Sequence, residues 1–210
     1  MRFKYPRTPH LPWSESLSSD DVKLTTPNHF QGKNIVVTEK MDGENTTLYR
    51  DGLHARSIDS RYHPSRSWVS ALHGKIGWQI PEGWRICGEN LYARHSISYD
   101  ELPSYFMVFS IWNEQNICLN WQDTCQMASE LRLCTVPVLY QGLWDEAKLR
   151  QLKLDTTHQE GYVVRIQDHF HFDDFSQSIA KWVRRGHVNT TKHWMFQTIS
   201  ANGLRSRDDS

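Results

Sequence analysis

Four short apolar runs in this chain each meet a charge at or near one end: Val36-Val37-Thr38-Glu39-Lys40, Ile86-Cys87-Gly88-Glu89, Glu160-Gly161-Tyr162-Val163-Val164 and Ile179-Ala180-Lys181-Trp182-Val183. A charge at a half-buried strand position is costly unless it is paired or bound to a ligand. Two of these charges are lysines and two are glutamates, so a fold that gathers the four strand ends would relieve the cost at one place. The first run shows the local form. Its β-branched half reads as a buried strand and Asp42-Gly43 as a turn, which leaves Lys40 where strand gives way to loop, facing a pocket. Taken alone, Lys-x-Asp-Gly is also the shoulder of an ordinary hairpin, since Asp-Gly is a common hairpin turn.

The remaining elements follow from periodicity and punctuation. Residues 1–30 carry Pro6, Pro9, Pro12 and Pro27 and read as an ordered arm or lid, with Ser18-Ser19-Asp20-Asp21 as a cap for a helical turn. Strands are expected at Asn34 to Thr38, Thr46 to Arg50 and Leu53 to Ser57, the last two joined by Asp51-Gly52, so that Lys40 opens a meander. Ser65 to Gln79 places Trp68, Leu72, Ile76 and Trp78 near helical spacing and predicts one amphipathic helix stopped by Pro81. Arg85 to Leu91 is a strand, and Tyr105 to Trp112 is apolar enough for a central strand covered on both faces. Trp121 to Leu133 predicts a helix, Thr135 to Tyr140 a strand, and Asp145 to Leu152 a short helix capped by Asp145. Gly161 to Ile166 and Ser178 to Val183 complete the strands, and the polar stretch from Ser200 to Ser210 is expected to fray.

Composition narrows the function classes. Lysine plus arginine and aspartate plus glutamate both number 24, so the overall field does not favour a nucleic-acid partner and any basic surface must be local. Cys87, Cys118, Cys125 and Cys134 lack metal-ligand spacing and read as reduced cytosolic thiols. No signal-peptide run and no stretch of eighteen apolar residues occurs, which points to a soluble, cytoplasmic protein without a membrane partner. The stretch His169-Phe170-His171 before Asp173-Asp174 reads as a polar turn in preference to a metal site.

In this order the motifs resemble those of the covalent nucleotidyltransferase superfamily, closest to the small phage-type ATP-dependent RNA ligases. Glu39-Lys40-Met41-Asp42-Gly43-Glu44-Asn45 is similar to the nucleophile motif, which makes Lys40 the lysine that becomes adenylylated. Ala55-Arg56-Ser57 through Ser60-Arg61 resembles the next motif, whose polar residues meet ribose and phosphates. Gly88-Glu89-Asn90-Leu91 resembles the third, with Glu89 on the ribose. Phe106 to Trp112 is similar to the strand that puts an aromatic under adenine, here Phe109. Glu160-Gly161-Tyr162-Val163-Val164-Arg165 resembles the fourth, with Glu160 linked to a metal. The last motif is half kept: Lys181 matches, while Trp182, Val183, Arg184 and Arg185 stand where a second lysine is common. His10-Leu11-Pro12-Trp13-Ser14 also resembles segments that precede the nucleophile in small RNA ligases.

The resemblance implies an α+β nucleotidyltransferase fold, with an ATP-grasp-like groove between two mainly antiparallel sheets and no OB domain. It is divided here into an arm (1–30), an adenylyltransferase domain (31–188) and a short tail (189–210). It implies ATP with Mg2+ or Mn2+ as cofactors and RNA 5′-phosphate and 3′-hydroxyl ends as partners. Catalysis is assigned to Lys40, Lys181 and Glu160, and nucleotide binding to Glu39, Arg56, Arg61, Glu89, Phe109 and Lys181. Arg66, Arg184, Arg185 and Lys192 are assigned to nucleic-acid binding, because basic groups interleaved with Trp182 and Trp194 suit phosphates and unstacked bases. A lysine is nucleophilic only when neutral, so partial burial, Lys181 and the metal are expected to lower the Lys40 pKa from about 10.4. Asp42 is left either structural or weakly metal-linked, and Gly43 is expected to permit close backbone approach. The alternatives are a minimal DNA ligase, a general polynucleotide adenylyltransferase, or an idle nucleotide- or RNA-binding module.

Overall fold

Strand β1 (Asn34–Lys40) and strand β2 (Glu44–Tyr49) are consecutive but belong to different sheets, and the three residues between them carry the chain across. A computed structural model describes residues 1–16, 21–186 and 199–206. The first sheet has the order β11 (Ile179–Val183), β9 (Gly161–Ile166), β1, β8 (Val138–Leu143), antiparallel throughout. The second runs β10 (Phe170–His171), β6 (Ile117–Cys118), β5 (Phe106–Trp112), β4 (Arg85–Asn90), β2, β3 (Gly52–Ala55), with β7 (Cys134–Thr135) parallel beside β5. The α+β expectation with two mainly antiparallel sheets therefore holds. The hairpin at Asp51-Gly52 also forms, joining β2 to β3, but the meander opened by Lys40 does not: β1 pairs with β8 and β9, while β2 pairs with β3 and β4.

A second crossing lies against the first. The expected strand from Thr135 to Tyr140 is split, because Pro137 has no N–H to continue a ladder. β7 joins one sheet and β8 the other, while the Pro137 carbonyl accepts from the Glu39 amide at 2.8 Å. Both crossings thus meet at the end of β1, beside Lys40.

Burial fixes the layers. Leu48, Ile86, Phe106, Val108 and Ile111 from the second sheet pack with Val69, Ile76 and Ala128 of helices α1 (Ser67–Ile76) and α2 (Trp121–Glu130). The other core joins Ile35, Val37, Tyr162, Val164 and Ala180 of the first sheet to Trp112, Phe170 and Phe175. Each large apolar side chain so enclosed stabilises the fold by roughly 1.5–3 kcal/mol relative to exposure. β1 and β5 are covered on both faces, which is why both read as nearly unbroken apolar runs. Helix α3 (Glu146–Arg150) is capped by Asp145, whose carboxylate accepts from the Lys148 amide at 3.0 Å, as expected. Helix α4 (Phe175–Ser178) is a single turn that sequence periodicity did not reveal.

Two further expectations change. The segment from Ser65 to Gln79 is an α-helix flanked by 3-10 turns at Pro64–Arg66 and Gly77–Gln79. Trp78 is consequently carried off the apolar face and is 69% exposed. The C-terminal stretch is docked rather than frayed over residues 199–206. Asn202 is buried, its amide donating to the Leu91 carbonyl at 2.8 Å and its side-chain oxygen accepting from the Tyr99 amide at 3.0 Å. The expected domain boundary at 188 lies outside the described residues. Among the described residues no helix is long and apolar enough to cross a membrane.

Candidate active site

Lys40 ends β1 opposite Gly161, the first residue of β9, so register places it beside Glu160. Its Nζ lies 2.6 Å from Glu160 Oε2, across 120 positions of sequence. Gly161 makes this possible: a Cβ there would stand 2.0 Å from the Trp182 carbonyl oxygen of β11. Gly43 plays the same part on the other wall, where a Cβ would come within 2.5 Å of the Asn90 carbonyl. The expected close approach at Gly43 is therefore to β4, and the Gly43 amide donates to Glu89 Oε1 at 3.2 Å. Asp42 makes structural contacts. It is buried, accepting from Ser96 Oγ at 2.7 Å and the Ile97 amide at 2.8 Å, and its own amide donates to the Tyr99 hydroxyl.

The electrostatics correct one expectation. Burial acts to lower the Lys40 ammonium, but the charges of Glu160, Glu89 and Asp42 outweigh it, and Lys40 is held above the ordinary lysine value. Sequence reasoning counted the burial and the neighbouring lysine but not the ion pair, which needs the sheet register to be known. Glu89 moves the opposite way to a paired carboxylate: burial pushes it up to about 8, with Glu160 and Asp42 adding and Lys40 opposing. Lys181 is held below its ordinary value by burial and then by Lys40, against the pull of Asp21.

A cleft of about 980 Å3 opens between the sheets and is lined by Lys40, Glu89, Glu160 and Lys181, together with Phe109, Glu39, Arg56 and Arg61. Phe109 sits at a bulge in the pairing of β4 with β5, where the register shifts between Cys87 and Gly88. Bulges re-aim side chains, and here Phe109 turns toward the cleft with Tyr5 edge-on at 5.2 Å. Glu39 is raised by burial and accepts from Gln159 Nε2 at 3.0 Å. Arg56 and Arg61 are exposed on the rim.

The other assigned residues are placed differently. Arg66 does line the cleft but is 8% exposed, with Nε donating to Glu44 Oε2 at 2.7 Å and Nη1 to the Arg61 carbonyl. Arg184 and Arg185 do not line the cleft; their amides are held by the Glu160 carbonyl and the Glu15 carboxylate. Neither supplies a second cleft cation. Lys192 and Trp194 lie outside the described residues, as do Ser18 to Asp20. His169 and His171 are exposed and pair with Asp168 and Asp173.

The arm contributes what the sequence did not reveal. The Asp21 carboxylate turns into the cleft, 3.5 Å from Lys181 Nζ and 3.4 Å from His10 Nε2. His10 and Trp13 now have places. Trp13 donates from Nε1 to the Tyr162 hydroxyl at 2.9 Å, packs on Trp144 and lies under Arg150, so it anchors the arm. His10 is buried against β11, where the Leu11 amide donates to the Lys181 carbonyl and the Lys181 amide to the Pro9 carbonyl. A proline-rich segment carries no strand pattern, which is why this pairing escaped notice.

The model of the RNA ligase family matches residues 33–183. The chain belongs to the RNA ligase family. Solved structures agree with this at the level of fold. The Naegleria gruberi RNA ligase with PPi is 18% identical, covers 80% of this chain and 53% of its own, and superposes with a TM-score of 0.56. A variant of that ligase with ATP and Mn is 14% identical over 87% of this chain and 61% of its own, with a TM-score of 0.55. Another variant, without ligand, is 16% identical over 75% and 51%, with a TM-score of 0.52. This RNA ligase family chain spans about half the length of those solved relatives. Among curated proteins none matches it.

Proposed function

We propose that this chain carries the nucleotidyl-transfer site of an ATP-dependent RNA ligase, with Lys40 as the nucleophile. The observation that carries the reading is the contact of Lys40 Nζ with Glu160 at 2.6 Å inside a cleft that also holds Lys181 and Glu89. Family membership and the ATP- and Mn-bound relatives support it. Neutral Lys40 attacks the α-phosphorus of ATP; the N–P bond forms as the bond to pyrophosphate breaks, and the amine proton is released. Lys181 stabilises charge on the α-phosphate oxygens, Glu89 accepts from ribose hydroxyls and Phe109 stacks on adenine.

The carboxylates suit a small hard cation, which is commonly held by one or two of them plus substrate phosphates. Glu160 would hold it, while Glu89, pushed up to about 8 mainly by burial, is left to the ribose. A bound divalent ion would neutralise phosphate charge and occupy Glu160. If Glu160 were engaged elsewhere, Lys40 would lose its largest raising partner, leaving burial against the weaker pull of Glu89 and Asp42.

AMP then passes from Lys40 to a polynucleotide 5′-phosphate, breaking the N–P bond and forming a pyrophosphate linkage, and a 3′-hydroxyl displaces AMP to seal the strand. The rim favours a nucleic-acid end: Arg56, Arg61 and an 80%-exposed Tyr62 line the mouth. Stacking on such a ring is sequence-tolerant. The Arg61 carbonyl is tied down by Arg66, so these groups sit on a fixed loop end. Intact mass after incubation with ATP and magnesium is the test. One AMP gained by wild type and none by Lys40→Ala is expected; no gain in wild type would leave the binding-module reading. Offering the charged protein 5′-phosphorylated RNA and DNA separates the ligase readings, and transfer to DNA alone would exclude an RNA ligase.

A further inference from the structure

We infer that Asp21 is a positioning residue for Lys181, held in turn by His10 and Ser14, so that the N-terminal arm is a working wall of the nucleotide site. The inference rests on the nucleotidyl-transfer reading and adds residues that lie outside the family-matched stretch 33–183.

The geometry runs as a chain from the first sheet to the cleft. The Val183 amide of β11 donates to Ser14 Oγ at 3.0 Å, so the Ser14 hydroxyl proton is free to point at His10 Nδ1, 2.7 Å away. The carboxylate of Asp21 can only accept, so the arrangement favours the ring proton of the neutral imidazole on Nε2, with Nδ1 accepting from Ser14. Nε2 faces Asp21 Oδ2 at 3.4 Å, close enough for a polar contact though no hydrogen bond is completed. The other carboxylate oxygen, Oδ1, faces Lys181 Nζ at 3.5 Å. His10 is buried, and burial followed by Lys181 depresses it to about 4, so it stays neutral near pH 7.

Lys181 needs such a partner. Burial and the Lys40 charge both work against its ammonium form, and Asp21 works for it. A lysine meeting an α-phosphate must be charged and aimed, whereas its stem is long and flexible. The backbone adds to this aim, because Pro9 and Leu11 bracket Lys181 in the arm's pairing with β11. Asp21 therefore sets the charge and direction of Lys181 without meeting the reacting atoms itself.

Single-turnover AMP transfer to Lys40 tests this in the full chain, with thermal unfolding as a check on folding. Asp21→Asn, which keeps shape and removes charge, is expected to slow transfer at saturating ATP about tenfold while changing the KM for ATP less than about twofold. Asp21→Glu restores most of the rate. Combined with Lys181→Ala, Asp21→Asn adds no further loss, because both act through one ammonium group. A wild-type rate in Asp21→Asn, a loss confined to KM, or losses that multiply in the double variant would each overturn the inference while the reading of the site stands. A wild type that gains no AMP would overturn both.

Discussion

The molecule buries cations in two ways, and the contrast separates its site from its scaffold. Three buried or half-buried cations of the cleft have a carboxylate: Lys40 has Glu160, Lys181 has Asp21, and Arg66 has Glu44, whereas Arg165, which also lines it, has none. On the far side of the second sheet Arg85 is buried among Phe3, Trp112 and Phe172, at 4.4, 4.7 and 5.5 Å from their ring centres, with Asn116 accepting from Nη2. Arg165 lies between Trp121 and Phe170 and donates to the carbonyls of Leu119 and Ile166. Among the described residues no carboxylate pairs with either arginine. An aromatic and carbonyl cage is a permanent partner, while a carboxylate pair can be exchanged for a phosphate or a divalent cation. Lys40 and Lys181 are paired where a ligand can replace the partner; Arg85 is caged.

The largest effect that tests this contrast is expected at Arg66. Arg66→Ala leaves Glu44 buried without its partner and should lower unfolding stability by about 3–5 kcal/mol, read from urea denaturation, with part recovered by adding Glu44→Gln. No comparable recovery exists for Arg85. Arg85→Ala removes stem packing and cation–π contacts and should cost about 2–4 kcal/mol, whereas Arg85→Met, which fills the space, should stay within about 1 kcal/mol of wild type. Both Arg85 variants should form the AMP adduct as wild type does, and loss of adduct in the folded Met variant would break the division.

A smaller effect is expected from pH at the arm. The folded protein holds His10 at about 4, below the ordinary 6.5, so between those values the unfolded chain binds more protons than the folded one. Stability contributed by neutral His10 is complete above pH 6.5 and declines as pH falls toward 4, by about 3 kcal/mol at most. Urea midpoints at pH 7 and 4.5 should converge in His10→Gln relative to wild type; an equal drop in both would sever His10 from the acid response.

Much of the fold was legible because its cause is local. The runs at Val36, Ile86, Phe106, Tyr162 and Ile179 are β-branched or apolar at strand length, and each forms a strand. The two-residue strands at Ile117, Cys134 and Phe170 were not legible, since pairs that short carry no period. Part of the site was legible for the same local reason: Lys40, Glu89, Glu160 and Lys181 are charges set in apolar runs, and all four line one cleft. Asp21 gave no such signal, being an acid in a polar loop, and the burial of Arg66 against Glu44 needed the fold to be seen.

The sequence alone determined which segments are strands, where charge interrupts them, and that Lys40 stands at the end of one. Tertiary structure decided what that end means. The Asp-Gly turn looked like a hairpin and is a passage between sheets, and Lys40 looked like a lysine of lowered pKa and is held above the ordinary value by Glu160. Both differences have one physical reason. Strand pairing and ion pairing join residues 120 and 160 positions apart, and their register follows from packing the whole chain rather than from any window of it.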